Sequence, residues 1–250
     1  MAKAVKKSNT GKKPGKRKKA DKGLFRPVRW LIKWSFRAGL VVVSLSILLV
    51  LAYAIFNPPT TPYMISEGRR LGSVDHQWVE LENIAPVMAR SVVAAEDANF
   101  CNHWGFDMAA IRDALEDGSG RGASTISQQV VKNAYLWQGR SWPRKAMEAL
   151  ITPVLETIWS KRRILEVYLN VAEFGEGVFG VEAAARTYFR VGPDKLTPVQ
   201  AARLAATLPN PKKRSAKNPS RFIRKRSASI VDGAQTILVD GRAACFSKKQ

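Results

Sequence analysis

The sequence predicts a mainly α-helical protein behind a single membrane-crossing helix. Three observations carry this. Thr125–Gln128 and Thr197–Gln200 are Thr-x-x-Gln capping boxes, each opening a segment of apolar residues at helical spacing. Alternation with strand period is scarce along the whole chain. Ala38–Phe56 is a run of nineteen residues without a charge, just long enough for a hydrocarbon core of about 30 Å.

The elements follow in order. Residues 1–37 are a basic tail with fourteen Lys/Arg and one acid, Asp21. The apolar run 38–56 follows, with Trp30, Trp34 and Phe36 before it and Tyr53 near its end, as in an interfacial aromatic belt. The positive flank places the N-terminus in the cytoplasm and the rest of the chain outside. Ala52-Tyr53-Ala54 has the small-x-small form of a signal-peptide cleavage site. The leading region is too long for an ordinary signal, so retention as an anchor is the expectation.

Residues 57–82 form a Pro-rich spacer leading into the domain, and its Asn57–Pro62 part is stiff. A helix is expected from Pro86 to about Ala95, ending at Glu96. Others are expected from Thr125, from Pro143 to about Trp159 with a kink at Pro153, from Ser160, over Glu182–Phe189, and from Thr197 to a stop before Pro209. The basic segment 212–250 is expected as a tail. It holds either one helix around the apolar patch Ile230–Val239 or disorder.

The net charge of +21 is uneven. Residues 212–250 hold eleven Lys/Arg against two acids, whereas 38–211 hold sixteen against seventeen. The N-terminal tail abuts an apolar run and no nucleic-acid-reading module follows it. Its expected partner is therefore anionic membrane lipid, and no nucleic acid. Cys101 and Cys245 lie too far apart to read as a framework and are expected to be unrelated. Two histidines, His76 and His103, are too few for a histidine-rich metal site.

Chemistry concentrates between Glu96 and Asn170. Glu96 and Asp97 are adjacent carboxylates at a helix end, where each is expected to raise the pKa of the other and leave one as a base. His103 is expected to hold the loop. Ser124, Thr125, Gln128, Gln129 and Lys132 cluster at a helix start and along one side, an arrangement suited to an anion. Arg140, Arg144 and Lys145 precede Glu148, which is on the stripe of Ile151, Leu155 and Ile158. Tyr135, Leu136, Trp137 and Trp142 either dip into the bilayer surface or belong to the core.

The strings are Glu96-Asp97-Ala98-Asn99-Phe100-Cys101-Asn102-His103-Trp104-Gly105, Gly122–Asn133, Arg144–Glu148, Lys161–Asn170 and Ala202–Pro211. In order and spacing they resemble the five motifs of the peptidoglycan glycosyltransferases (family 51, lysozyme-like), in their monofunctional membrane-anchored form. The resemblance covers residues 83–211, which makes 83–211 the expected glycosyltransferase domain. It implies a lysozyme-like catalytic lobe with a smaller membrane-proximal lobe. It implies polymerisation of lipid II into β-1,4-linked glycan strands, with release of undecaprenyl pyrophosphate, at a bacterial inner membrane with the catalytic domain periplasmic.

Catalytic roles fall to Glu96, as the base on the acceptor 4-hydroxyl, and to Glu148, which assists pyrophosphate departure directly or by holding cations or a divalent metal. Asp97, Ser124, Thr125, Gln128, Gln129, Lys132, Arg140 and Arg144 are then substrate-binding. No cofactor is required. A divalent cation, Mg or Mn, on the pyrophosphate is the one addition the resemblance admits, and Glu148 is its candidate protein ligand. Partners are lipid II, the lipid-linked glycan chain, and proteins of wall synthesis or division.

Gly122-Ala123 stands where the family commonly has Gly-Gly, and Glu173 departs from its usual aromatic. No Ser-x-x-Lys with a Lys-Thr-Gly partner is present, so a penicillin-binding half is absent. The rival functions are a glycan-cleaving muramidase, which needs no pyrophosphate-binding cations, and a non-enzymatic membrane scaffold, which needs neither Glu96 nor the Gln-Gln-x-x-Lys string.

Overall fold

The structure is a computed structural model that describes residues 11, 25–116, 124–139 and 141–247. The chain divides into two compact units, 1–46 and 47–250. In the first, the described chain is Gly11 and the start of α1 (Phe25–Ile55), whose apolar side chains Leu31, Leu40, Val41 and Leu45 are all exposed. Val28–Ile55 is 28 residues with a window of mean hydropathy 2.6, long and apolar enough to cross a membrane. At 1.5 Å per residue it spans about 42 Å, so helix continues beyond a core of about 30 Å.

The second unit begins inside the last turns of α1. Val50 is buried there, and its carbonyl accepts from Trp159 Nε1 at 2.8 Å. Arg163 donates to the Tyr53 and Phe56 carbonyls at 3.0 and 2.9 Å, supplying partners that a helix end otherwise lacks. The segment expected as a spacer also folds. Thr61 caps α2 (Pro62–Leu71), whose Met64 and Glu67 are buried.

Two helical groups follow. α3 (Pro86–Glu96) packs on α9 (Pro198–Thr207) and α10 (Arg221–Val239), and α5 (Ile126–Tyr135) packs on α6 (Trp142–Ile158) and α7 (Lys161–Val171). α4 (Met108–Glu116) buries none of its residues, and α8 (Val181–Phe189) packs on a small sheet. β1 (Asp75–His76) runs parallel to β3 (Val178–Phe179), which pairs antiparallel with β2 (Glu173–Gly175). One core runs through Met88, Val92, Phe100, Ile126, Val130, Leu165, Leu169, Phe174, Leu204 and Ile223.

The starts of α3 and of α5 to α9 agree with the sequence reading to within a residue, and both capping boxes are closed reciprocally; α1 begins earlier, at Phe25, and α2 and α4 were not expected. α6 continues through Pro153, which has no N–H to give the preceding turn.

Of the two alternatives for the basic segment from Lys212, the helix is the one found: Ile223, Ile230, Ala234 and Ile237 of α10 are buried, and Gly233 lies so close to α3 that a Cβ there would sit 3.2 Å from Ala94 Cβ. One expectation is corrected: Cys101 and Cys245 are paired in a disulfide, which joins the C-terminal segment to the loop after α3. The first motif is thus held from both ends of the domain sequence.

Candidate active site

Glu96 is the last residue of α3. Its Oε2 accepts from Gln129 Nε2 at 2.9 Å, and Gln129 Oε1 accepts from the buried Tyr168 hydroxyl at 3.2 Å. Oε1 is buried without a partner among the described residues. Burial pushes the Glu96 carboxyl above the usual carboxylate range, while the Gln129 hydrogen bond and the charges of Arg226, Lys132 and Arg214 pull it back. The base-like shift is therefore in place, but its main cause is burial and not the neighbouring Asp97.

Asp97 is itself occupied. Oδ1 meets His103 Nε2 at 2.8 Å and Oδ2 accepts from the Ile126 backbone N–H at 2.9 Å. It fastens the first-motif loop to the start of α5. His103 holds the loop, as expected. Gly105 sits at φ +84° with Thr152 Cγ2 2.7 Å from where a Cβ would fall, so only glycine fits. Thr125 Oγ1 donates to the Gly105 carbonyl at 2.7 Å, which closes the loop against α5.

Thr125 and Gln128 are buried and spend their side chains on the capping box; Gln128 Oε1 accepts from the Thr125 N–H at 3.1 Å. They build the helix start. Gln129 orients Glu96. Lys132 is one turn further on from Gln128, half-buried and without a hydrogen bond or ion pair among the described residues. Burial depresses its ammonium pKa, with Arg144 and Lys145 adding to the depression and Glu148 and Glu96 opposing it. It is not the exposed cation that the sequence suggests.

Glu148 is 2 % exposed. Its Oε2 pairs with Arg144 Nη1 at 2.6 Å, and its Oε1 with Lys145 Nζ. Arg144 is also buried and donates from Nε to the Gly139 carbonyl at 2.8 Å. It is a partner that keeps Glu148 in place. Lys145 lies 3.4 Å from Ser124 Oγ, and its side chain is 42 % exposed. Arg140 lies outside the described residues. Ser141, Trp142, Arg144 and Lys145 line an open cleft of about 300 Å³.

Both Glu148 oxygens already pair with cations, and two positive charges at the carboxylate disfavour a divalent ion held there. The four residues between motifs two and three divide. Leu136 is buried, Tyr135 stacks on Tyr53 and Trp159, and Trp137 and Trp142 are exposed.

Sequence reasoning missed Lys145 as a site residue, Tyr168 behind Gln129, and the cations Arg214 and Arg226. The last two sit in the segment read as a tail. No local motif marks them.

The family described as "Transglycosylase" matches residues 65–235, a span that takes in most of α10. The chain is 58% identical over 219 residues to a protein of Jannaschia sp. (strain CCS1) named "Biosynthetic peptidoglycan transglycosylase", covering 88% of this chain and 90% of that one. Proteins of the same name from Xanthomonas campestris pv. campestris (strain B100) and Caulobacter vibrioides are 46% and 44% identical, over 82% and 83% of this chain and 88% and 93% of theirs. Family match, helical fold and a buried glutamate among cations agree: the chain belongs to the transglycosylase family, as a peptidoglycan glycosyltransferase of cell-wall synthesis.

Proposed function

We propose that this enzyme polymerises lipid II, transferring a lipid-linked glycan chain to the acceptor 4-hydroxyl and releasing undecaprenyl pyrophosphate. The observation that carries the reading is Glu96, half-buried at the end of α3, with its Oε1 buried and unpartnered among the described residues and its other oxygen held by Gln129, which Tyr168 backs. A carboxyl raised by burial takes the hydroxyl proton as the new β-1,4 bond forms at the donor's anomeric carbon. The bond from that carbon to pyrophosphate breaks on the opposite face. Negative charge then grows on the leaving group, and Lys132 and Lys145 are the cations placed to receive it. Glu148 keeps Lys145 and Arg144 in position and does not itself act on the sugar.

This arrangement disfavours a muramidase, whose second carboxylate must be available to the sugar or to water. The deciding experiment is the full chain in detergent with labelled lipid II. Long glycan strands support the reading; fragments from finished wall, with no polymer, overturn it. No divalent ion held by the protein enters these steps.

Lys132 gives a sharper check. Lys132→Met keeps the stem's volume and removes the charge. Charge-assisted bonds to phosphate are worth about 1.5–3 kcal/mol, so turnover should fall about tenfold to a hundredfold. Burial already disfavours the ammonium, so the melting temperature should hold or rise. A sharp loss of melting temperature, with unchanged affinity for a diphosphate-bearing inhibitor, would make Lys132 a structural tie.

The helix Val28–Ile55 suits a retained anchor with residues 1–37 cytoplasmic, lying on anionic lipid, and the catalytic unit periplasmic. A reporter fused after Asn57 should be active only when it is a periplasmic reporter. Mature protein beginning near Ile55 would show cleavage instead.

A further inference from the structure

We propose that Arg226, on α10, is a positioning residue for the catalytic base: it caps the C-terminal end of α3 and keeps the Glu96 carboxylate charged and in place. The proposal rests on the reading of Glu96 as the base.

The physical problem is set by where Glu96 sits. The last carbonyls of a helix lack intrahelical donors and carry the negative end of its dipole. A carboxylate at that end is disfavoured, and burial disfavours it again. Yet a base must be ionised to accept a proton. Something must offset both effects, and the α3 end has no cation of its own, since its last turn holds no basic residue.

The offset comes from α10. Arg226 Nη2 donates to the carbonyl of Ala95, the residue before Glu96, at 3.3 Å. Arg226 Nε is buried and has no hydrogen-bond partner among the described residues. No salt bridge to Arg226 occurs there either, so its charge is not spent on a neighbouring acid. α10 is pressed on α3, with Gly233 over Ala94. The groups facing Glu96 are Gln129 and Lys132 from α5, Tyr168 from α7, Arg214 from the segment after α9, and Arg226. Arg214 donates to the Ala206 carbonyl at 3.2 Å and lies 5.3 Å from the Phe222 ring centre. Arg226 alone among them bonds the backbone that carries the base.

Arg226→Gln removes the charge and, being two bonds shorter than the Nη2 that reaches the Ala95 carbonyl, the cap as well. Arg226→Lys keeps the charge. The rate of glycan polymerisation is measured from pH 5 to 9 for both variants, with Glu96→Gln alongside. Loss of a cation beside a buried carboxylate should move the acid limb of the glutamine variant up by about one pH unit, and its plateau should stay within about threefold of wild type. The lysine variant should keep the limb close to that of wild type.

A glutamine variant slowed by one factor at every pH, with its limb unmoved, overturns the proposal and leaves Arg226 a structural or substrate-binding residue. If it does not fold, Arg214→Gln decides, since it should move the limb the same way by a smaller step; an unmoved limb there overturns the electrostatic account. The two failures stay distinguishable. An active Glu96→Gln enzyme removes the base itself, whereas a dead one beside an unmoved Arg226→Gln limb removes only the role given to Arg226.

Discussion

Glu96→Gln abolishes polymerisation, by at least about a hundredfold, without lowering the melting temperature: this is the expected result for a base whose charge the fold opposes. Glutamine is nearly isosteric and keeps an oxygen to accept from Gln129 Nε2. What it loses is the proton acceptor. The stability effect follows from the direction of the pKa shift. Burial raises the Glu96 carboxyl above its unfolded value, so proton binding favours the folded state. That contribution is whole below the unfolded value and is lost as pH rises through the folded one. At neutral pH the ionised carboxylate is a cost, and glutamine removes it. The variant should therefore melt at or above the wild-type temperature, and the gap should widen as pH rises from 5 to 8. Rates on labelled lipid II and melting curves across that range check both halves. A variant retaining a tenth of the wild-type rate would take Glu96 out of the base role. One that melts several degrees lower would make the carboxylate a structural tie.

The helices around this residue were legible because their signals are local. Capping boxes at Thr125 and Thr197, Pro86 at a first turn and Ser160 before an apolar stripe each fix a start within four residues of chain. The sheet was not legible. Its strands are two or three residues long, too short for alternation to show, and β1 is brought to β3 from a hundred residues away. α10 was legible only in its second half. The apolar patch Ile230–Val239 marks a helix, but Arg221, Arg224, Lys225 and Arg226 around Ile223 hide its first turns.

The site residues show a second limit. The polar types that bind a sugar phosphate are the types that cap helices and fasten loops. Asp97, Thr125 and Gln128 stand beside Glu96 and Gln129 in sequence, yet the fold spends their side chains on the backbone. Only the partners of each atom separate the two roles. Arg214 and Arg226 reach Glu96 from more than a hundred residues along the chain, and no spacing rule could have paired them with it.

The disulfide carries the largest stability effect expected. Cys101 and Cys245 are 144 residues apart, and the Cα atoms lie 5.7 Å from each other. Closing so long a loop in the unfolded chain is worth roughly 5 kcal/mol in the chain-entropy account, and removal of native disulfides from small secreted domains typically costs about 2–5 kcal/mol. At about 2–4 °C per kcal/mol for a domain of this size, the double variant Cys101→Ser/Cys245→Ser should melt about 5–15 °C lower. The bond is not the only tie at this place. Arg242 Nη1 donates to the Ala98 carbonyl at 3.1 Å, Phe246 lies 6.4 Å from the Phe100 ring, and Arg162 Nη1 donates to the Phe246 carbonyl at 2.9 Å. These contacts hold the last segment on the first-motif loop once it is folded, so the serine variant should fold to the same structure and keep part of its activity at low temperature. They do little to the unfolded chain, and the disulfide acts mainly there. Wild type treated with reductant should therefore match the serine variant in melting temperature. Such a bond persists in an oxidising compartment, which the proposed periplasmic placement of the catalytic unit would supply. A serine variant that melts within a degree of the oxidised wild type would show that the unfolded chain gains nothing from the cross-link, and that the non-covalent contacts suffice to hold the C-terminal segment.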